Sequence, residues 1–272
     1  MRRVPAIAGR ERRSLFASPV AYAFLTLFAV LAGFFFLTQL LVFQEQLIRL
    51  QQFQMFEQLR EWNLNDQVLQ YFFGVMSVIL LFIVPGITMG LLAAEKANGT
   101  EELLLTSPIT VWDLVLGKFA AGAAFVTLLV ALVGLYAGIL FLYGDPEPGK
   151  TAAGLLALLL VGFAYVAIGL FASSLTRSHA IAFFVSFVLL MVLWMLSFLA
   201  DLGVADGGSL GGGVLGALGG WLTGGLRYLS SADHFEQLVK GLVSTRDVAY
   251  FGVIIASFLL LTKAVVESVR WR

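Results

Sequence analysis

Six stretches of the chain stay apolar for roughly 20 residues each, the length that crosses a bilayer as a helix. They fall at about 20–43, 71–94, 119–143, 152–172, 180–200 and 248–266. The runs do not alternate and are too long for barrel strands, so the pattern predicts helices. The expected fold class is all-α, a polytopic membrane protein with six transmembrane helices. Residues 1–19 form an N-terminal interfacial helix, and 20–272 form the membrane domain.

The polar intervals carry their own patterns. In 1–19, the basic run Arg10–Ser14 accompanies Val4, Ile7, Leu15 and Phe16, an amphipathic segment suited to a membrane surface. Pro19 suits the first turn of the first spanning helix. In 44–70, Leu50, Phe53, Phe56 and Leu59 recur every three residues among Gln, Glu and Arg, which predicts an amphipathic helix. It caps the outer face or contacts a substrate or partner. In 201–247, glycines stand at 208, 212, 216, 220 and 224. That ladder fits a re-entrant pair of half-helices or a glycine-rich loop. Gly86/Gly90 and Gly134/Gly138 repeat the spacing on spanning helices, where it favours close internal packing.

Composition agrees with a bilayer as the solvent. The chain is 60% hydrophobic and 12% charged, against about 25% charged residues in ordinary soluble domains. Net charge is +0, so no basic field points to nucleic acid. With no cysteine, disulfides, thiolate metal sites and a Cys nucleophile are excluded. His179 and His234 are the two histidines and form no metal-binding pair motif. Asp233, His234 and Glu236 read as solvated residues behind a helix cap at Ser230 or Ser231, with a metal or proton site on the outer face as the alternative. No cleavable leader is expected, because the first apolar run leads into Gln44 and Glu45 rather than a small-residue cleavage site.

Lys and Arg set the expected orientation. With the N-terminus inside, eleven basic residues fall on inside segments and six on outside segments, which together make the 17 of the chain. The bias places both termini in the cytoplasm. The spans hold almost no ionisable residue, which argues against an ion-coupled transporter carrying its own driving force. Lys263 and Glu267 sit one helical turn apart near the inner boundary, an exposed pair of small value.

One motif is a decoy. Gly144 to Thr151 fits the phosphate-loop pattern letter for letter. No strand or soluble domain surrounds it, Pro146 and Pro148 lack backbone N–H groups, and Asp145 and Glu147 would repel phosphates. It is a turn between the third and fourth spans.

The first inside loop, 95–118, carries the functional signal. Gly99 ends the second span. Thr100 caps a short helix whose first turn holds Glu101 and Glu102. Leu103, Leu104 and Leu105 give it an apolar surface, and Pro108 stops it. Thr110 with Asp113 makes a capping box for the next helix. Acids and leucines displayed together mark a partner site.

Glu95, Lys96, Gly99, Thr100, Glu102, Leu104, Leu105, Pro108, Gly117 and Lys118 together resemble the signature of ABC-2 type transporter permeases. Arg10 to Tyr22, Ser173 to Ala180 and Asp233 to Asp247 are similar to the gliding-motility and copper-processing branch of that family. The resemblance implies that this loop holds a coupling helix docked on a separate ABC ATPase subunit. Its candidate coupling residues are Glu95, Lys96, Gly99, Thr100, Glu101, Glu102, Leu103, Leu104, Leu105, Pro108 and Lys118, and Arg177 is a second candidate ATPase contact. The resemblance further implies export across a bacterial inner membrane, and a second permease, identical or related. ATP and Mg would be bound by the ATPase, with no cofactor in this chain. A periplasmic or accessory protein is a further candidate partner. A second reading is an ATPase-coupled scaffold that acts on periplasmic partners without moving a substrate, with 44–70 and 201–247 as its contacts. An intramembrane enzyme is disfavoured, since no catalytic triad, carboxylate pair or metal cluster falls at membrane depth.

Overall fold

A computed structural model describes residues 3–53, 63, 65–99, 110–144, 146–201 and 230–270. Every regular element among them is helical: α1 (Arg3–Ala17), α2 (Pro19–Gln52), a π-helical turn (Asn65–Leu69), α3 (Gln70–Thr88), α4 (Gly90–Ala97), α5 (Val111–Tyr143), α6 (Pro148–Leu175), α7 (His179–Asp201), α8 (Ser231–Val239) and α9 (Thr245–Arg270). Six of the helical stretches are long and apolar enough to cross a membrane. The re-entrant or loop readings of 208–226 concern residues outside those described.

Helix ends follow local chemistry. Ser18 caps α2 by accepting a hydrogen bond from the Val20 N–H, and Pro19 sits in the first turn, where its missing donor costs nothing. Thr110 and Asp113 close the expected capping box on α5. Ser230 caps α8. Gly99 follows α4 with φ +68, the left-handed conformation that a glycine adopts without strain.

Two expectations change. Residues 44–52 are not part of a separate amphipathic helix but continue α2. No Gly or Pro interrupts the stretch, and Glu45 pairs with Arg49 one turn on. The 34 residues of α2 give a rod of about 50 Å, longer than the ~30 Å apolar core of a bilayer. Phe53 ends the helix, Phe56 and Leu59 lie outside the described residues, and 65–70 belongs to the second spanning unit. Likewise α1 does not offer its apolar side to a membrane alone. Leu15 and Phe16 pack into the core, Phe16 lies 5.7 Å from Phe125, and Ile7 lies over Gly117 of α5.

The core centres on α6, which packs against α3, α4, α5, α7, α8 and α9. Small residues admit the neighbours: a Cβ on Gly162 would collide with Val126, and one on Gly169 with Thr88. Of the two expected glycine pairs, Gly86 receives the Phe24 ring and Gly90 faces His179, whereas Gly134 meets Leu155 at ordinary contact and Gly138 faces open space.

The end of the bundle opposite the 98–110 loop is tied by polar contacts. Asn65 exchanges hydrogen bonds with the Glu147 backbone, and Gln39 donates to the Gln67 carbonyl at 2.7 Å. Lys150 lies 3.5 Å from Asp66 and 3.4 Å from Glu147. In the phosphate-loop-like segment, Pro148 to Thr151 form the first turn of α6, and its lysine is held by carboxylates. His234 corrects another expectation, for it is buried rather than solvated. Its Nδ1 lies 2.6 Å from Asp247 Oδ1, and its ring stacks 4.0 Å from Tyr250.

Candidate functional site

The base of the 98–110 loop is the most highly organised polar region among the described residues. Its construction begins with a break in the second spanning unit. Pro85 lies inside α3 and lacks a donor, and the helix is interrupted at Met89 before resuming as α4. Such a break frees backbone groups that must find partners when buried. Ser173 of α6 supplies them. Its Oγ accepts from the Leu92 and Ala93 N–H groups at 3.0 Å each and donates to the Met89 carbonyl at 2.9 Å. One residue on, the Ser174 carbonyl accepts from Lys96 Nζ at 2.6 Å, which places a cation at the C-terminal end of α6.

The opposite side of the loop is held by Lys118. Its side chain is 1% exposed, within α5. Nζ donates to the Leu91 carbonyl at 2.6 Å and to Glu95 at 2.7 Å, and Glu11 of α1 approaches it at 3.4 Å. Arg10 closes the cluster, 2.9 Å from Glu11 and 4.0 Å from Glu95. Its hydrogen bond to Glu11 raises the Arg10 guanidinium above its ordinary value, against the opposing effect of burial. Two carboxylates and two cations thus bind α1, the end of α4 and the start of α5 into one joint. Of the four, only Arg10 is well exposed.

α5 meets α9 nearby. Lys263 Nζ lies 5.6 Å from the Trp112 ring centre and 3.2 Å from Glu267. Arg177 is exposed in the turn between α6 and α7.

The structure therefore brings Glu95, Lys96 and Lys118 into one framework and places Gly99 at its exit. Thr100, Glu101, Glu102, Leu103, Leu104, Leu105 and Pro108 lie outside the described residues. Sequence reasoning missed Glu11, Ser173 and Ser174. An acid set among five arginines was a signal for Glu11. The serines carried none, because their partners are backbone groups of another helix.

The six-span bundle with its polar joint around one inter-helix loop is the architecture of a polytopic membrane protein. The pattern of the ABC-2 family transporter protein matches residues 6–266, and the chain belongs to that family. It is similar to "Probable multidrug ABC transporter permease YbhR" of Escherichia coli strain K12, 31% identical over 144 residues, and equally to the O157:H7 protein of that name. Each alignment covers 51% of this chain, and the chain spans 38% of the length of those relatives.

Proposed function

We propose that the chain is the permease subunit of an ATP-driven exporter. In this reading the 95–118 loop couples it to a separate ABC ATPase, which binds ATP and Mg. A second permease, identical or related, completes the transporter. Both termini and the loop face the cytoplasm of a bacterium, and the bundle sits in the inner membrane. The likeness of 10–22 to the gliding-motility and copper-processing branch favours that part of the family.

The observation that supports the coupling role is the joint at Lys118. A loop that merely joined two spans would need no buried ion cluster at its base. Here Lys118, Glu95 and Glu11 fix both ends of the loop to the bundle and to α1. A push on the loop then moves α1, α4 and α5 together, and Ser173 passes the movement to α6. Lys118 and Lys96 act as positioning residues within the chain, while Glu101, Glu102 and Leu104 meet the ATPase.

The test is co-purification of the native chain and of Leu104→Asp with the ABC ATPases of the source cell, identified by mass spectrometry. The native chain is expected to retain the ATPase, and the variant to lose it while keeping the native elution profile in detergent. Equal retention by both chains would remove the docking role from Leu104. Retention by neither, with both folded, would remove the coupling reading.

A further inference from the structure

At the end of the bundle opposite the loop, a cavity of about 660 Å³ opens between the π-helical turn, α3, α6, α7 and α8. That volume suits a drug-sized organic molecule. Its walls are aromatic and aliphatic: Tyr71, Val75, Val78, Tyr165, Trp194 and Phe235. Its polar lining includes Asp66, Gln67, Gln70 and Glu236. Among the described residues, the two carboxylates are the only charged groups in that lining. Their lysine partners, Lys150 and Lys240, form largely exposed pairs and do not line the space. Exposed pairs of this kind neutralise their acids weakly.

Three features mark the cavity as a built site. The second spanning unit opens with a π-helical turn, which adds a residue per turn and displaces Asp66 and Gln67 from an α-helical register; such turns concentrate at functional sites. Gly74 lines the space, and a Cβ there would meet nothing within 4 Å, so the glycine keeps the volume open without being needed for packing. Ser231, 2% exposed, also lines it, and its buried Oγ has no hydrogen-bond partner among the described residues. A buried hydroxyl left unsatisfied in a cavity wall calls for a partner that the described residues do not supply.

We propose that this cavity binds an amphipathic organic cation, its apolar body against the aromatic wall and its charge toward Asp66 and Glu236. The assignment rests on the transporter reading, which it deepens by naming a substrate class. An anion of the same shape is disfavoured, because the two carboxylates that line the space repel it while Lys150 and Lys240 stand outside the lining.

Binding is tested without ATPase or flux, so its outcome is separate from that of the coupling test. Radiolabelled tetraphenylphosphonium is titrated onto the full chain in lipid nanodiscs, with empty nanodiscs subtracting partition into lipid. Unlabelled tetraphenylborate, its isosteric anion, serves as competitor. The native chain is expected to bind the cation saturably, and the anion not to displace it. Gly74→Leu should abolish the saturable component with the native elution profile unchanged. Asp66→Asn and Glu236→Gln should each weaken binding about threefold, as the loss of one partly exposed charge contact implies. Absence of saturable binding to the native chain, or unchanged binding to Gly74→Leu, would overturn the site. Equal displacement by tetraphenylborate, or no effect of either carboxylate substitution, would overturn the cation assignment.

Discussion

Lys118→Met is the sharpest perturbation of the joint at the loop base. Methionine keeps the length and apolar body of the lysine and removes its charge and donors. Three things are then lost together: a 2.7 Å bond to Glu95, a 2.6 Å bond to the Leu91 carbonyl and the 3.4 Å approach of Glu11. The Glu95 and Glu11 side chains are only 18% and 13% exposed, so neither recovers full hydration. Arg10, at 63% exposure, is a weak substitute for Lys118 beside the two carboxylates. Removing one partner of a buried ion pair costs about 3–5 kcal/mol, mostly from the charge left behind. Adding Glu95→Gln to the Lys118→Met variant removes one of those stranded charges and should recover part of the loss, a coupling of roughly 2 kcal/mol. Equilibrium unfolding in mixed detergent and SDS micelles measures both single variants and the double. A loss below about 1 kcal/mol for Lys118→Met, or strict additivity in the cycle, would show that the cluster holds nothing together.

Two further predictions concern buried polar contacts. Ser173→Ala leaves the Leu92 and Ala93 N–H groups without their side-chain acceptor. It should destabilise the chain by about 1–3 kcal/mol and speed amide exchange across 89–93, and unchanged exchange there would refute the bridging role. Asp247→Leu removes the carboxylate bonded to the buried His234 Nδ1 and should cost about 1–3 kcal/mol, whereas adding His234→Phe should recover most of it, since the group that lost its bond is then gone. If the double variant is no more stable than the single in the same unfolding assay, the pair is not what holds α8 to α9.

The legible and the illegible parts of this chain divide along a physical line. Helix spans and their ends are written locally. Apolar runs mark the spans, Ser18–Pro19 and Thr110–Asp113 open helices, and Gly99 follows the last turn of α4. The run of α2 through Gln52 was hidden by polarity, because Gln44–Gln52 reads as an inter-span segment although it contains no helix breaker. The joint was half legible. Its residues Glu95, Lys96 and Lys118 stand in the loop signature, but Lys118 read as a candidate contact to the ATPase rather than a buried tie, because its acceptors come from other elements. The cavity was not legible at all, since Asp66, Tyr165, Trp194 and Glu236 converge from four parts of the chain.

That convergence bears on how the two ends of the bundle can communicate. Helix α6 meets both sites. Ser173 and Ser174 hold the break in the second spanning unit and Lys96, and Tyr165 and Val161, about two and three turns away, line the cavity. α3 likewise runs from the cavity lining at Gly74 and Val78 to the interruption at Met89. Under the proposed function, a displacement of the loop reaches the cavity along these two helices, and the Ser173 bridge is where they are locked to each other. Leu104→Asp and Ser173→Ala then separate two events. The first should abolish ATPase retention and leave cation binding intact. The second should retain the ATPase and bind the cation, yet lose any change in cation affinity that ATP induces in the assembled transporter. A persistent ATP-induced change in Ser173→Ala would place the transmission elsewhere, with α1 and α5 as the remaining route through Lys118.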